Sequence, residues 1–415
     1  MQFSLKISLN YFSSVFQCPR RSVGAILCSV HSKMKVPSSS TDDGTGFRLT
    51  VVGEQDDTTE KLKFREHVIA GLTNPTKALS SVYFYDDRGS ELYAKITDLE
   101  EYYLTESERE IFESYANDMV TTHFCPRNAK RNEIINIVEL GAGDGRKTRL
   151  LLKALISHRV KFEYIPIDIS RKAMANLFRS MDKAFPKNVL NVHGLIGNYL
   201  ECLRYIFLQH PSRENVVAFI GSSIGNFSSQ QASHFLQKLR AQMKPRDVLL
   251  LGTDLRKDAR VMQKAYSDSA GVTREFNLNL LIRMNKELGT NFDLKKFEHV
   301  AVYNPEIGAM ESFLVCTEAH CISMATTESG SKGSTTSHHF MFKQFERIHM
   351  ECSHKYTPDL ISEMLHTAGY QVRDQYFDNR QWFMDTVSVV PDNQQSGAHP
   401  ENAIHNGSLD MENIQ

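Results

Sequence analysis

The segment Gly-Ala-Gly-Asp-Gly at 141–145 is where this chain first offers a chemically suggestive pattern. Closely spaced glycines let a backbone approach a ligand, and the start of a helix favours negative charge. The spacing is not the dinucleotide pattern GxGxxG, because the third glycine comes too early. Two acids frame the turn: Glu139 two residues before it, and Asp168 at the end of the run IPID. An ionised carboxylate offers only acceptors, so at a strand end it can take both hydroxyls of a ribose. A glycine loop after one strand, an acid after the next and no phosphate-loop lysine motif fit S-adenosylmethionine better than NAD or ATP. Taken alone, Asp168 also suits a helix N-cap.

The elements that must position these residues alternate. The run IINIVEL (134–140) is followed by the helix-like KTRLLLKALISH, then FEYIPIDIS (162–170), the helix-like KAMANLFRSM (172–181) and VLNVHGLIG (189–197). Next come VVAFIGSSIGNF (216–227), a helical spacing through Phe235, Leu236 and Leu239, and DVLLLGTDL (247–255). Near-continuous apolar strands alternating with helices predict an α/β fold, a doubly wound, Rossmann-like parallel sheet that binds ligands at its carboxyl strand ends. The stretch from Leu255 to about 355 is too long for a connection. It reads as an inserted α+β lobe. We expect a substrate-binding lobe of 47–106 plus 256–355, and a cofactor-binding domain of 107–255 plus 356–390.

Composition narrows the function classes. The chain has 415 residues, with 48 basic against 49 acidic side chains, and lacks the basic excess of a nucleic-acid binder. No window approaches the roughly 18 apolar residues of a membrane span. Seven cysteines are scattered without a CxxC, which reads as reduced thiols of an intracellular protein and not as a disulfide frame or zinc site. Residues 1–46 hold no acid before Asp42 and several spread Lys and Arg. That suits a mitochondrial transit peptide or an unstructured extension, so the expected location is cytoplasmic, with mitochondrial as the alternative. Residues 391–415 read as a disordered tail and 325–338 as an exposed loop. A monomer acting on a small molecule is expected, with no nucleic-acid or membrane partner.

Six segments carry a resemblance. They are YFYDDRGSELYAKITDLEEYYLTESERE (83–110), VELGAGDGRKTRLLL (138–152), IPIDIS (165–170), FIGSSIGNF (219–227), LLGTDLRKDARVMQKAYSDSAGVTREFNLNLLIRMNKELG (250–289) and MECSHKY (350–356). Together, over about 47–390, the chain resembles the histidine-specific, S-adenosylmethionine-dependent N-α-methyltransferases of ergothioneine biosynthesis. The methyltransferase domains of ovothiol-type enzymes and fungal dimethylallyltryptophan N-methyltransferases are similar too. The resemblance implies a class I methyltransferase sheet and methylation of free histidine to trimethylhistidine (hercynine).

Site residues follow from the same resemblance. Gly141, Lys147 and Asp168 match cofactor-binding positions, and Tyr85 and Gly221 match contacts near the methionine moiety. Tyr102, Asn226, Tyr266, Glu351 and Ser353 match the residues that hold the histidine. In the family, Asn226 and Tyr266 address the amino acid's backbone groups, while Glu351 and Ser353 hold the imidazole beside Tyr102. Glu351 and Ser353 stand two positions apart, so in a strand they share a face. That pair favours imidazole over indole. The implied reaction is direct displacement at the methyl group, needing no metal and no covalent intermediate, with Asn226, Tyr85 and Gly221 positioning the reactants.

Two positions depart from the family. Asn198–Tyr199 replaces the usual aspartate before an aromatic, though asparagine can still accept from an adenine amine. Met310–Glu311–Ser312 replaces Ile-Glu-Met, so Ser312 opens space for a modified ring. The rivals are an N-methyltransferase for thiol-substituted histidine or another aromatic amino acid, and a catalytically silent cofactor-binding module. Ser-Ile-Gly-Asn-Phe (223–227) stands where nucleic-acid or protein amine methyltransferases carry Asn/Asp-Pro-Pro-Tyr/Phe.

Overall fold

The apolar runs of the middle segment meet in one sheet. A computed structural model of the chain describes residues 40–42, 47–53, 57–125, 133–186, 188–327 and 335–392. The nine-stranded sheet has the order β1-β2-β5-β4-β3-β6-β7-β14-β13. Its strands are β1 (Ser40–Asp42), β2 (Phe47–Val51), β3 (Ile135–Leu140), β4 (Phe162–Asp168), β5 (Val192–Ile196), β6 (Asn215–Phe219), β7 (Val248–Asp254), β13 (Gln371–Phe377) and β14 (Phe383–Val389). β2 through β7 run parallel, and β1, β14 and β13 pair antiparallel. Every residue of β3, β5, β6 and β7 is buried, as expected of strands covered on both faces.

Helices cover both faces and supply two apolar cores. On one side pack α3 (Tyr103–Met119), α4 (Thr148–Ser157) and α5 (Arg171–Ala184). The other side carries α6 (Tyr199–Gln209), α7 (Ser229–Gln242) and α10 (Pro358–Thr367). Local chemistry sets their starts: the Ser170 side chain caps α5 at Ala173, and Ser228 with Gln231 forms a capping box on α7, each satisfying N–H groups the helix cannot pair. Met174, Leu177 and Met181 then give α5 its buried stripe.

A third core belongs to the insertion and the segment before the sheet. It gathers α1 (Asp57–Thr73), α2 (Asp87–Ile96) and α9 (Val272–Leu288) against β8 (Phe297–Asn304), β9 (Ala309–Cys316) and β12 (Arg347–His354). The last three form an antiparallel sheet of order β12-β9-β8, and β10 (His320–Thr327) pairs β11 (Thr335–Phe342) as a hairpin. The short α8 (Ala259–Tyr266) links β7 to this lobe. The described residues fall within one compact unit, which holds all three cores.

Four expectations shift. Residues 47–51, expected in the substrate lobe, are β2 and pair with β5 in the large sheet. β1 draws residues 40–42 of the expected N-terminal extension to the sheet edge; residues 1–39 and 43–46, with the transit-peptide expectation, lie outside the described residues, as do 393–415. The expected loop 325–338 contributes ladder positions, with Ala325 opposite Ser337 and Thr327 opposite Thr335. The strand expected over 216–227 stops at Phe219, because Gly221 and Ser222 take positive φ (77° and 58°) and turn the chain into a 3-10 helix, Ser223–Asn226.

Inside the first core, Glu139 on β3 accepts hydrogen bonds from the hydroxyls of Thr148 on α4 and Tyr164 on β4, fixing the frame around the glycine loop. Burial pushes its carboxyl up to about 7 despite those donors. A raised folded-state pKa contributes stability that is present below about 4.5 and lost as pH rises through about 7. Glutamine imitates the neutral form. Between pH 5 and 8 the wild type should therefore lose about 3 kcal/mol relative to Glu139→Gln, at about 1.4 kcal/mol per unit. Denaturant midpoints of both proteins at the two pH values check this; a constant gap would mean that Glu139 titrates as an ordinary carboxyl.

Candidate functional site

Strand order reverses between β3 and β6, and the loops after these strands form the floor of the site. Gly141 takes φ 72°, and a Cβ there would stand 2.7 Å from the Tyr199 hydroxyl, so the position has no room for a side chain. Asp168 ends β4, and its carboxylate accepts from the Ser170 N–H at 2.8 Å. Burial raises its pKa against backbone donors that include Gly143. The N-cap of the following helix is Ser170, so that role does not account for Asp168. Asn198 caps α6 by accepting from the Leu200 N–H at 3.0 Å, and its carbonyl keeps a second lone pair. Burial, then the charge of Asp168, push the Tyr199 phenol up. Glycine loop, acid and aromatic residue thus stand around one strand end.

Lys147 joins this floor to the neighbouring cavity. Its ammonium pairs with the buried Glu108 of α3, and Glu108 also accepts the Gly221 N–H at 2.8 Å. Asp385 of β14 lies beside Glu108; burial and that charge push its pKa well above the usual carboxylate range. One carboxylate therefore fixes both Lys147 and the backbone of Gly221.

The cavity lies between the sheet ends and the third core. Tyr85, Tyr102, Gly221, Asn226, Tyr266, Glu351 and Ser353 all line it. They come from six elements or turns, and 268 residues separate Tyr85 from Ser353 in the chain (353 − 85). Aromatic rings make one wall: Tyr85 meets Tyr93 at 5.6 Å and Phe276 at 5.7 Å, and Tyr102 meets Tyr266 at 6.2 Å, all edge to face. Ser312 does not line the cavity. It is buried on β9 directly opposite Glu351.

A buried network holds the polar wall. Lys355, at the end of β12, pairs with Asp254, at the end of β7, at 2.7 Å. Its ammonium also donates to the Tyr266 hydroxyl at 2.7 Å and to Ser353 Oγ at 2.9 Å. Burial opposes the charge of Lys355, but Asp254, Tyr266 and these hydrogen bonds outweigh it and raise its pKa. Tyr266 and Ser353 touch each other at 2.7 Å. With all three ammonium protons used, whichever hydroxyl accepts in that contact keeps its own proton for the cavity. The wall therefore presents one hydroxyl donor. Asp254 further accepts from Tyr103 at 2.8 Å and pairs with Lys257, whose pKa is pushed down to about 8 by burial, against Asp254 and with Lys355.

Glu351 is different. Among the described residues no group donates a hydrogen bond to its carboxylate, and burial pushes it up to about 7 against the pull of Lys355. It is an acceptor facing the cavity without a donor.

Sequence reasoning missed Tyr93, Phe276, Glu108, Asp385, Asp254 and Lys355. Tyr93, Phe276, Asp254 and Lys355 lie within the segments that carry the resemblance, as does Glu108. Nothing in their local spacing distinguishes a lining or bracing residue from an ordinary one.

Three comparisons bear on identity. A family model described as histidine-specific methyltransferase, SAM-dependent, matches residues 64–390. Histidine N-alpha-methyltransferase of Mycolicibacterium smegmatis is 33% identical over 74% of this chain and 88% of its own length. Ergothioneine biosynthesis protein 1 of Neurospora crassa is 30% identical over 71% of this chain, which spans 31% of that longer protein. L-tryptophan methyltransferase trpM of Psilocybe serbica is 25% identical over 80% of this chain and 94% of its own. With a sheet switch point built around a glycine loop, an acid at the next strand end and an aromatic cavity beside them, the chain belongs to the histidine-specific, S-adenosylmethionine-dependent methyltransferases.

Proposed function

We propose that this enzyme methylates the α-amine of free L-histidine, three times, to trimethylhistidine. The observation that carries the reading is the unpartnered Glu351 carboxylate in an aromatic cavity. A half-buried carboxylate without a donor gains from a ligand N–H. Imidazole supplies that N–H, and the single hydroxyl donor of the Tyr266–Ser353 pair reaches a second acceptor on the same substrate. A hydrogen bond to a charged group contributes about 1.5–3 kcal/mol, which is about 10- to 100-fold in affinity. Asn226 offers both a donor and an acceptor to the amino acid's ammonium and carboxylate ends. Successive methylation builds a quaternary ammonium, and the faces of Tyr85 and Tyr102 attract such a cation.

Gly141, Asp168, Asn198 and Tyr199 would hold the nucleoside part of S-adenosylmethionine, and Lys147 with Gly221 its methionine part. The glycine at 141 packed under Tyr199 and the acid ending β4 suit that group. When bound, it supplies a methyl group on positively charged sulfur. The protein's own task is positional: the polar wall and Asn226 orient the amine, and the aromatic wall excludes water. The substrate's α-ammonium must first release its proton to water, and only the neutral amine attacks the methyl group.

Ser312 favours one second reading. Its small side chain, buried beside Glu351 though outside the cavity wall, lets the Glu351 side chain shift toward it and admit a ring substituent, which suits a thiol-substituted histidine.

Mass spectrometry of the protein with S-adenosylmethionine and L-histidine, with tryptophan and 5-thiol-histidine in parallel, tests these readings. Three added methyl groups on histidine are expected, with tryptophan inert. Glu351→Ala should raise the histidine KM about 10- to 100-fold. Preference for tryptophan, or no product despite cofactor binding, would overturn the reading. Ser312→Met should cut turnover of the thiol-substituted ring more than that of histidine; equal effects would overturn this second reading. Lys355→Met leaves Asp254 with Lys257 as its remaining cation beside the Tyr103 hydroxyl, and loss of one partner from a buried pair costs about 3–5 kcal/mol. Its denaturant midpoint should fall accordingly, and its histidine KM should rise because Tyr266 and Ser353 lose their shared donor.

A further inference from the structure

The small sheet has a second face, turned away from the histidine cavity, and three side chains with metal-ligating atoms converge there. Glu311 comes from β9, and His349 and Cys352 from β12. Residues three apart on a regular strand point to opposite faces. Here the register shifts between His349 and Glu351, and this bulge brings His349 and Cys352 to the same side. His349 pairs across with Phe313, and Cys352 with Glu311, two positions of β9 that share a face. The same bulge leaves Glu351 and Ser353 on the cavity side.

The three ligand atoms stand at coordination spacing. Cys352 Sγ lies 3.3 Å from His349 Nε2 and 3.9 Å from Glu311 Oε1, and His349 Nε2 lies 3.6 Å from the same oxygen. With bonds of about 2.0–2.3 Å, two ligand atoms of a tetrahedral zinc stand about 3.3–3.6 Å apart. The other Glu311 oxygen is held by the Asn304 amide at 3.0 Å, the kind of outer contact that aims a ligating carboxylate. All three side chains are partly exposed, so a cation can enter from solvent. The guanidinium of Arg347, the neighbouring positive charge, lies over the Phe313 ring at 4.5 Å.

We propose that Glu311, His349 and Cys352 form a site for a thiophilic divalent cation of the zinc class, with water completing the tetrahedron. Thiolate, imidazole and carboxylate are the donor set such ions take. Binding displaces the Cys352 thiol proton to solvent, and thiolate, carboxylate and dication then sum to zero charge. An occupied site ties β9 to β12 at the bulge that also sets the direction of Glu351. It lies outside the methyl-transfer chemistry, so its existence does not depend on the substrate proposed above. The ligands lie up to 41 residues apart on two strands, which is why no CxxC-like spacing announces them.

The test is metal binding by the full-length protein after chelator treatment and dialysis. Cobalt(II) should give a thiolate-to-cobalt charge-transfer band that saturates at one equivalent, and zinc should abolish it. Cys352→Ser should lose the band and weaken zinc binding by about 100-fold, and Asn304→Ala, which keeps all three ligands, by about tenfold. Cys18 and Cys28 also carry thiols, so a band that survives in Cys352→Ser overturns the proposal. So does the absence of a charge-transfer band in the wild type, a result that needs no variant to fold.

Discussion

The buried ion pair between Asp254 and Lys355 is the contact on which the rest of the site depends. Asp254 ends the last strand before the insertion, and Lys355 follows the last strand within it. Around the pair the backbones run side by side: the Tyr356 N–H donates to the Asp254 carbonyl at 2.9 Å, and the Arg256 N–H to the Tyr356 carbonyl at 2.9 Å. A stretch of about a hundred residues therefore leaves and re-enters the large sheet at one point. Both charges are fully buried. Such a pair is tolerated only where every remaining proton finds an acceptor, and Lys355 meets this condition through Tyr266 and Ser353. The electrostatic requirement of the junction is thus what orients two polar groups of the cavity wall.

Glu108 performs the same service on the cofactor side. Its two oxygens take the Lys147 ammonium and the Gly221 N–H, so the residue that follows the glycine loop and the turn that follows β6 are fixed to each other. Burial and the neighbouring Glu108 charge raise the pKa of Asp385 at its side. The two networks meet at the cavity from opposite directions. One comes up from the switch point of the parallel sheet, and the other comes through the base of the inserted lobe. Between them lie aromatic rings and the Glu351 carboxylate, to which no described residue donates a hydrogen bond. The contrast lies between the Lys355 ammonium, whose three protons are all accepted within the protein, and the Glu351 carboxylate, which faces the cavity without a donor among the described residues.

Much of the sheet was legible because parallel strands buried on both faces must be apolar along their whole length. The runs ending at Leu140, Asp168, Ile196 and Asp254 could therefore be read directly. The run 216–227 was misleading, since its second half is equally apolar but turns at Gly221 and Ser222, and composition does not record φ. β2 was assigned to the wrong core because a five-residue strand has no period long enough to show which sheet it joins. The ends of the low-complexity segment 325–338 pair as a hairpin, since Ser and Thr satisfy a ladder as well as a loop.

By itself, the sequence determined the strand–helix alternation, the glycine turn with its following acid, and a set of polar and aromatic residues whose types suit a cofactor and an amino acid. These are local properties, set by residue chemistry and by spacings of a few positions. Only the tertiary structure decided which of them meet. Tyr85, Asn226, Tyr266 and Glu351 face one cavity, Ser312 pairs with Glu351 across the small sheet outside that cavity, and Tyr266 shares Lys355 with Ser353. Asp254, Lys355 and Glu108 look in sequence like ordinary charged residues. Their importance comes from burial, because a charge taken out of water must be paired, and the partner is chosen by the fold and not by the neighbouring residues.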